Sequence, residues 1–414
     1  MINYENSSIQ QLHQALENKT ITVKELVQHS INLAKADFDS NFLVSLNDKQ
    51  ALQVANDFKF DSSKPLSGIP FILKDNILEN FNSPFDATIA KQLKEAGAIL
   101  VGKSTLDELA MGGTGLFGFN GSAYAVATGV VPFSIGTDTG DSIRKPASYA
   151  GIVGFKPTYG SISRFGVIPY APKIIDKKLS SQTFGYIKEV HKYLPKDLSN
   201  KYQEFYKQLE LEGHKVKEIS FRQDLLEAIS HLYMMISFSE AVSTEANLDG
   251  INFGSRISGA DYEEVMKNTR TKNFGEIVKK RFIIGSYQLK RENQVELLDK
   301  AKKVRRLINN EMIKLFADVD VLILPPSPDI APKVEDVLGK SREDVIDNEG
   351  SFVNDILIIS NFYGNPSITL PFVTKDGLPI GINLNTNLRQ DDKLLTIASQ
   401  VEHIISEMVK KELI

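Results

Sequence analysis

A serine in a glycine-rich turn and a lysine closing an apolar run are the side chains here best suited to nucleophilic chemistry. The serine is Ser142. An apolar run over residues 130–135 opens into Gly136-Thr137-Asp138-Thr139-Gly140-Asp141-Ser142, followed by Ile143-Arg144-Lys145-Pro146. A strand that ends in such a turn holds a hydroxyl in the open, and the N–H groups just before it can point at a developing oxyanion. Taken alone, the segment suits an ordinary strand-to-helix loop equally well.

A nucleophilic serine needs a base. The histidines are His13, His29, His191, His214, His231 and His403, and none follows an aspartate by three residues. Gly140-Asp141-Ser142-Ile143 resembles the nucleophile block of GDSL-type esterases, but those enzymes carry it near the N-terminus and use a late Asp-x-x-His. No Gly-x-Ser-x-Gly elbow is present either. Lys74 is the remaining candidate, because it closes Gly68-Ile-Pro-Phe-Ile-Leu73 and so stands at the carboxyl end of an expected strand. Burial disfavours an ammonium, and a neutral amine takes a serine proton. The competing reading is a lysine that snorkels from a strand end into water.

The elements needed to position this pair read as alternating strands and helices, an α/β class. Residues 7–35 are expected to be helical, with Thr22-Val-Lys-Glu25 at capping-box spacing ahead of Leu26, Val27, Ile31 and Leu33. Asp86 to Ala96 reads as a helix stopped by Gly97, and Ala98 to Val101 as a strand. Further helices are expected over 204–212, much of 223–247, 291–317 and 392–410. Strands are expected over 215–221, 319–324, 366–372 and 378–384. Gly97-Ala-Ile-Leu-Val-Gly102-Lys103-Ser104 matches the phosphate-binding pattern in letters, yet its spacer is itself strand-like and a helix precedes it, so nucleotide binding is not expected there.

Composition narrows the function. With 414 residues, 42% hydrophobic and 24% charged, the chain can bury a sizeable core. A net charge of −4 gives no general attraction for nucleic acid or anionic membrane, so any RNA must be held by a partner or a local patch. Cysteine is absent, which excludes disulfides, thiolate metal sites and cysteine nucleophiles. No His-x-x-x-His, EF-hand or clustered-carboxylate pattern points to a metal, and none is expected. The polar start and the lack of a spanning apolar run read as a soluble, cytoplasmic protein.

Several motifs together resemble the amidase signature family. They are the stretch from Gly68 to Asn76, Gly97 to Lys103, Asp107-Glu-Leu-Ala-Met-Gly112, Gly136 to Pro146, and Gly151-Ile-Val-Gly-Phe-Lys156-Pro-Thr-Tyr-Gly160. Ser163-Arg-Phe-Gly166, Glu240-Ala241, Asp249-Gly250, Asn361-Phe-Tyr-Gly-Asn-Pro366 and Leu378-Pro-Ile-Gly381 continue the match in order. The resemblance spans nearly the whole chain and is weakest between Lys173 and Ser230. It implies one amidase domain over 1–414, a mixed β-sheet core with helices on both faces. Within it would lie an N-terminal helical segment over about 1–60, a signature core over about 66–172 and a C-terminal part over about 173–414. It also implies Ser–Ser–Lys catalysis: Ser142 as acyl-forming nucleophile, Lys74 as base, and the backbone N–H groups of Thr139, Gly140 and Asp141 as oxyanion hole.

Within the family the chain is most similar to the glutaminase subunits of tRNA-dependent amidotransferases. That similarity implies glutamine as substrate, its α-carboxylate on Arg281 and its α-amino group on Asp355. It further implies subunits B and C as partners, and ammonia handed to the partner that converts Glu-tRNA(Gln) to Gln-tRNA(Gln). No cofactor is expected in this chain, with ATP and Mg at the partner and tRNA contacted mainly through it. A stand-alone amidase, or an impaired assembly subunit, is the alternative.

Two departures bear on the chemistry. Where the family has Gly-Gly-Ser, this chain has Gly140-Asp141-Ser142, so the Asp141 carboxylate must face solvent or a cation such as Arg144. The family's bridging serine lies 24 residues before the nucleophile, where this chain has Gly118. Of that block only Gly121-Ser122 remains, and the role does not transfer to Ser122. Abrupt joins between Asn76 and Phe81, just before this block, and after Pro172 read as missing loops.

Overall fold

A computed structural model describes residues 4, 7–80, 85–110, 120–163, 165, 181–251, 254–337 and 349–412. Its ten strands are β1 (Leu43–Leu46), β2 (Pro70–Lys74), β3 (Ile99–Ser104), β4 (Phe133–Ile135), β5 (Gly154–Lys156), β6 (Thr183–Ile187), β7 (Lys215–Ile219), β8 (Val321–Leu324), β9 (Ser367–Lys375) and β10 (Leu378–Asn385). The mixed α/β class holds, with the strands divided between two hydrogen-bonded sheets. One has the order β1-β3-β2-β4 and the other β5-β9-β10-β8-β6-β7.

In the four-stranded sheet β2 is central and runs parallel to β3 and β4. All five of its residues are buried, which explains why the segment reads as an unbroken apolar run rather than an alternating one. Successive side chains serve opposite faces. Ile72 packs with Leu12, Val27, Ile31 and Phe42 on the side of the N-terminal helices. Phe71 and Leu73 pack with Ile77, Ile89 and Ile135 on the side of the helix Thr88–Glu95.

The expected helix over 7–35 is two helices, Ile9–Glu17 and Val23–Ala36, parted around Lys19, whose φ is 57°. Both start on a capping box, Ser8 with Gln11 and Thr22 with Glu25. Gly102-Lys103-Ser104 lies inside β3, so the glycine–lysine–serine letters form no phosphate loop. Instead Lys103 Nζ donates to the carbonyls of Asp75, at 3.2 Å, and Ile77, at 2.7 Å, and holds the chain that leaves Lys74.

The six-stranded sheet is built on the β9–β10 hairpin, whose turn residues Asp376 and Gly377 both have positive φ. Its core includes Phe205, Ile229, Met312 and Val401, one from each of the helices Lys196–Leu211, Ile229–Thr244, Lys300–Asp318 and Asp391–Glu412. The chain passes from the first sheet to the second through the Gly136–Ile143 turn and the helix Arg144–Ala150, which packs on β9 and β10. The serine segment is therefore the connection between the sheets. Among the described residues no helix is long and apolar enough to cross a membrane, and no group of three or more His, Cys, Asp or Glu could hold a metal ion.

Candidate active site

Lys74 ends β2 inside the protein, not at its surface. Its Nζ lies 2.9 Å from Thr137 Oγ1, and Asn76 Nδ2 donates to the same oxygen at 3.2 Å. Burial lowers the lysine to about 8, against the opposing pull of the Asp107 and Asp138 charges. The snorkelling alternative is thereby set aside, because the amine is turned inward onto a buried hydroxyl.

The turn that presents Ser142 is clamped from below. Arg144, which has no exposed surface, meets Asp138 bidentately, through Nε to Oδ2 and Nη2 to Oδ1, both at 2.9 Å. It also donates to the carbonyls of Gly140, at 2.8 Å, and Leu357, at 2.9 Å, and to Asn361 Oδ1 at 2.6 Å. Asn361 returns its Nδ2 to the Asp138 carbonyl at 2.9 Å. Burial by itself would raise the Asp138 carboxyl, but the Arg144 charge and these hydrogen bonds outweigh it and hold the group well below the usual carboxylate range. Asp138 Oδ2 also accepts from the N–H of Ile143 at 3.2 Å, which closes the turn on itself.

Within that turn the amides of Thr139 and Gly140 donate to no backbone carbonyl of the described residues. A Cβ on Gly140 would stand 3.3 Å from the Tyr233 ring, so only glycine fits there without displacing that side chain. The Asp141 side chain does face a cation, with Lys145 rather than Arg144 in that place. Arg144 is taken by Asp138, and Asp141 pairs with Lys145, one helical turn on, at 2.6 Å. That arrangement neutralises the acidic residue next to Ser142.

Ser142 and Lys74 line one cavity of about 580 Å³, together with Asn120, Ser122, Phe155 and Glu402. Arg281 and Asp355 do not line it. Asp355 is buried, with Oδ1 at 3.9 Å from Lys145 Nζ, and Lys145 also donates to the carbonyl of Asn354. Arg281 is buried in the helix Glu276–Leu289, its guanidinium 5.0 Å from the Phe238 ring centroid. Ser122 points to Ser104, with the two hydroxyl oxygens 2.6 Å apart. Gly118 lies outside the described residues.

The sequence reading missed the roles of Thr137, Asp138, Asn361 and Lys145. Asp138 and Arg144 flank the turn closely, but nothing in one dimension says that they pair. Asn361 joins them from 223 positions away.

The profile of the family described as Amidase matches residues 25–118, 120–177 and 173–395. This chain belongs to the amidase family. The amidase is 35% identical to the glutamyl-tRNA(Gln) amidotransferase A subunit of Mycoplasma pneumoniae, over 96% of its own length and 98% of the relative's. The same-named protein from Legionella pneumophila is 32% identical over 95% of this chain and 96% of the relative. Among solved structures, one described as an amidase superposes with a TM-score of 0.78 at 23% identity, over 96% of this chain and 100% of the other. The glutamyl-tRNA(Gln) amidotransferase A subunit from Thermotoga maritima gives 0.69 at 26% identity, over 96% and 94%. The Mycoplasma alignment runs over 478 positions against a chain of 414 residues, so that relative carries segments this amidase lacks. The family match breaks around residue 119 and again at 173–177, near two of the joins read as missing loops.

Proposed function

We propose that this amidase is the glutamine-hydrolysing subunit of a tRNA-dependent amidotransferase. The observation that carries the reading is a buried lysine, its pKa lowered by burial, on the same cavity as a serine in a glycine-rich turn. The relatives that align along almost the full chain name the reaction.

Ser142 Oγ attacks the side-chain amide carbon of glutamine while the neutral Lys74 amine takes up the serine proton. The oxyanion forms against the N–H groups of Thr139, Gly140 and Asp141. Ammonia leaves with the proton that Lys74 returns, and water then cleaves the γ-glutamyl ester to glutamate. The resemblance assigns the substrate α-carboxylate to Arg281 and its α-amino group to Asp355, two buried side chains that do not line the cavity of Ser142 and Lys74. Ammonia passes to subunits B and C, where ATP and magnesium serve the conversion of Glu-tRNA(Gln) to Gln-tRNA(Gln).

Glutamate release from glutamine, with the chain alone and with the partner subunits, tests this directly. Turnover is expected with the partners and is expected to vanish in Ser142→Ala. Glutamate release that survives Ser142→Ala sinks the assigned nucleophile. Turnover of other amides with no preference for glutamine points to a stand-alone amidase instead.

A further inference from the structure

We propose that the hydroxyl of Thr137 carries the proton between Ser142 and Lys74, a role that rests on the Ser142–Lys74 reading above. Among the described residues, Thr137 is the hydrogen-bond partner of the Lys74 amine, at 2.9 Å. Thr137 is 2% exposed, so bulk water does not compete for its hydroxyl. Its side chain is branched at Cβ and therefore stiff, and Asn76 Nδ2 at 3.2 Å pins the oxygen from a second side.

Thr137 enters the turn and Ser142 ends it, and Asp138 Oδ2 ties the two ends together through the Ile143 N–H. The Arg144 clamp on Asp138 makes that closure rigid. Among the described residues, the other hydroxyls lining the cavity are engaged elsewhere: Ser122 faces Ser104, Ser134 donates to the Ser122 carbonyl and Thr105 to the Asn41 carbonyl. Gly118 has no side chain to offer.

Hydrogen-bond inventory supports the same assignment. A threonine hydroxyl has one proton and two acceptor lone pairs. As the bonds stand, Lys74 Nζ and Asn76 Nδ2 both donate to Thr137 Oγ1. Once Lys74 is neutral, the Thr137 proton turns to Nζ and the lone pair so freed is open to the Ser142 hydroxyl. On attack, the Ser142 proton moves to Thr137 Oγ1 as the Thr137 proton moves to Nζ. A C–O bond forms at the substrate carbonyl, and Lys74 becomes an ammonium. The reverse transfer protonates the leaving amine as the C–N bond breaks, so the threonine ends each half-reaction unchanged.

Thr137→Val keeps the shape and removes the hydroxyl. In the amidase assembled with its partner subunits, kcat for glutamine hydrolysis is expected to fall by about 10²–10³-fold, the scale of general acid–base catalysis, with KM within threefold. Thr137→Ser is expected to restore kcat to within about fivefold of the parent, since positioned acid–base chemistry needs the hydroxyl and not the methyl. Thr137→Val with more than a third of the parent kcat, beside an inactive Lys74→Met, overturns the relay and leaves the nucleophile assignment standing. Retained turnover in Ser142→Ala overturns the reading beneath it and the relay as well. A test without any variant guards against misfolding: the wild-type acylation rate in mixtures of H2O and D2O. Two protons in flight give a curved dependence on deuterium fraction, and a straight line overturns the proposal.

Discussion

The ends of β2 and β5 each bury a lysine, and the two sites differ in what the amine can reach. Burial lowers Lys74 to about 8. It lowers Lys156 to about 7, helped by the Arg144 charge and opposed by Asp138 and Asp391. By pKa alone Lys156 is as good a candidate as Lys74. Its Nζ, however, donates to the carbonyls of Asn365 at 2.6 Å and Pro157 at 3.0 Å, and it does not line the cavity. Lys74 meets a hydroxyl that can both give and take a proton, and it faces the cavity with Ser142. A lowered pKa therefore marks burial, and only the partner and the access separate a base from a structural strut.

Exchanging the two lysines in turn is the sharpest way to break this comparison. Lys74→Met is expected to cut kcat for glutamine hydrolysis by about 10²–10⁴-fold while the thermal midpoint stays near the parent's. Lys156→Met is expected to keep kcat and to lose about 1–3 kcal/mol of stability, because two buried carbonyls lose their donor. The reverse outcome, with turnover lost at Lys156 and kept at Lys74, moves the base to β5.

Arg144→Met tests the clamp that both ends share. It leaves the Asp138 carboxylate buried without its cation, and urea unfolding is expected to show a loss of about 3–5 kcal/mol. A loss below about 1 kcal/mol, the scale of an exposed pair, means that the clamp is not what holds the turn.

The smallest effect is on the pH profile. A lysine in the proposed role takes a proton only when neutral, and burial lowers Lys74 to about 8. The limb of kcat/KM must therefore rise with pH, about tenfold per unit below 8, and level off above it. A profile flat from pH 6 to 9 rules out a base that titrates there.

Much of this was legible in one dimension. The run over 68–73 predicted a buried strand ending at Lys74, and β2 is that strand, because a strand covered on both faces has to be apolar at every position. The Thr22–Glu25 spacing predicted a helix start, and the cap forms because its hydrogen bonds are local. The rejection of a phosphate loop at Gly97–Ser104 followed from the apolar spacer, which is strand in β3. Less legible was the helix Glu276–Leu289, whose apolar stripe is weak because its buried face carries Arg281, Gly285 and Gln288 while Ile283 and Tyr287 are exposed. The division into two sheets was also missed, since strand pairing depends on partners far apart in the chain.

By itself, then, the sequence determined the α/β class, the family, and the pairing of Ser142 with Lys74 as candidates, because these rest on local patterns and ordered motifs. Tertiary structure alone decided which charges neutralise each other. Asp138 could have paired with Lys145 and Asp141 with Arg144, but folding the turn onto Asn361 and the carbonyl of Leu357 left one place for a five-donor guanidinium. It also decided that Lys74 meets Thr137, because that contact joins residues 63 positions apart, brought together by parallel β2 and β4.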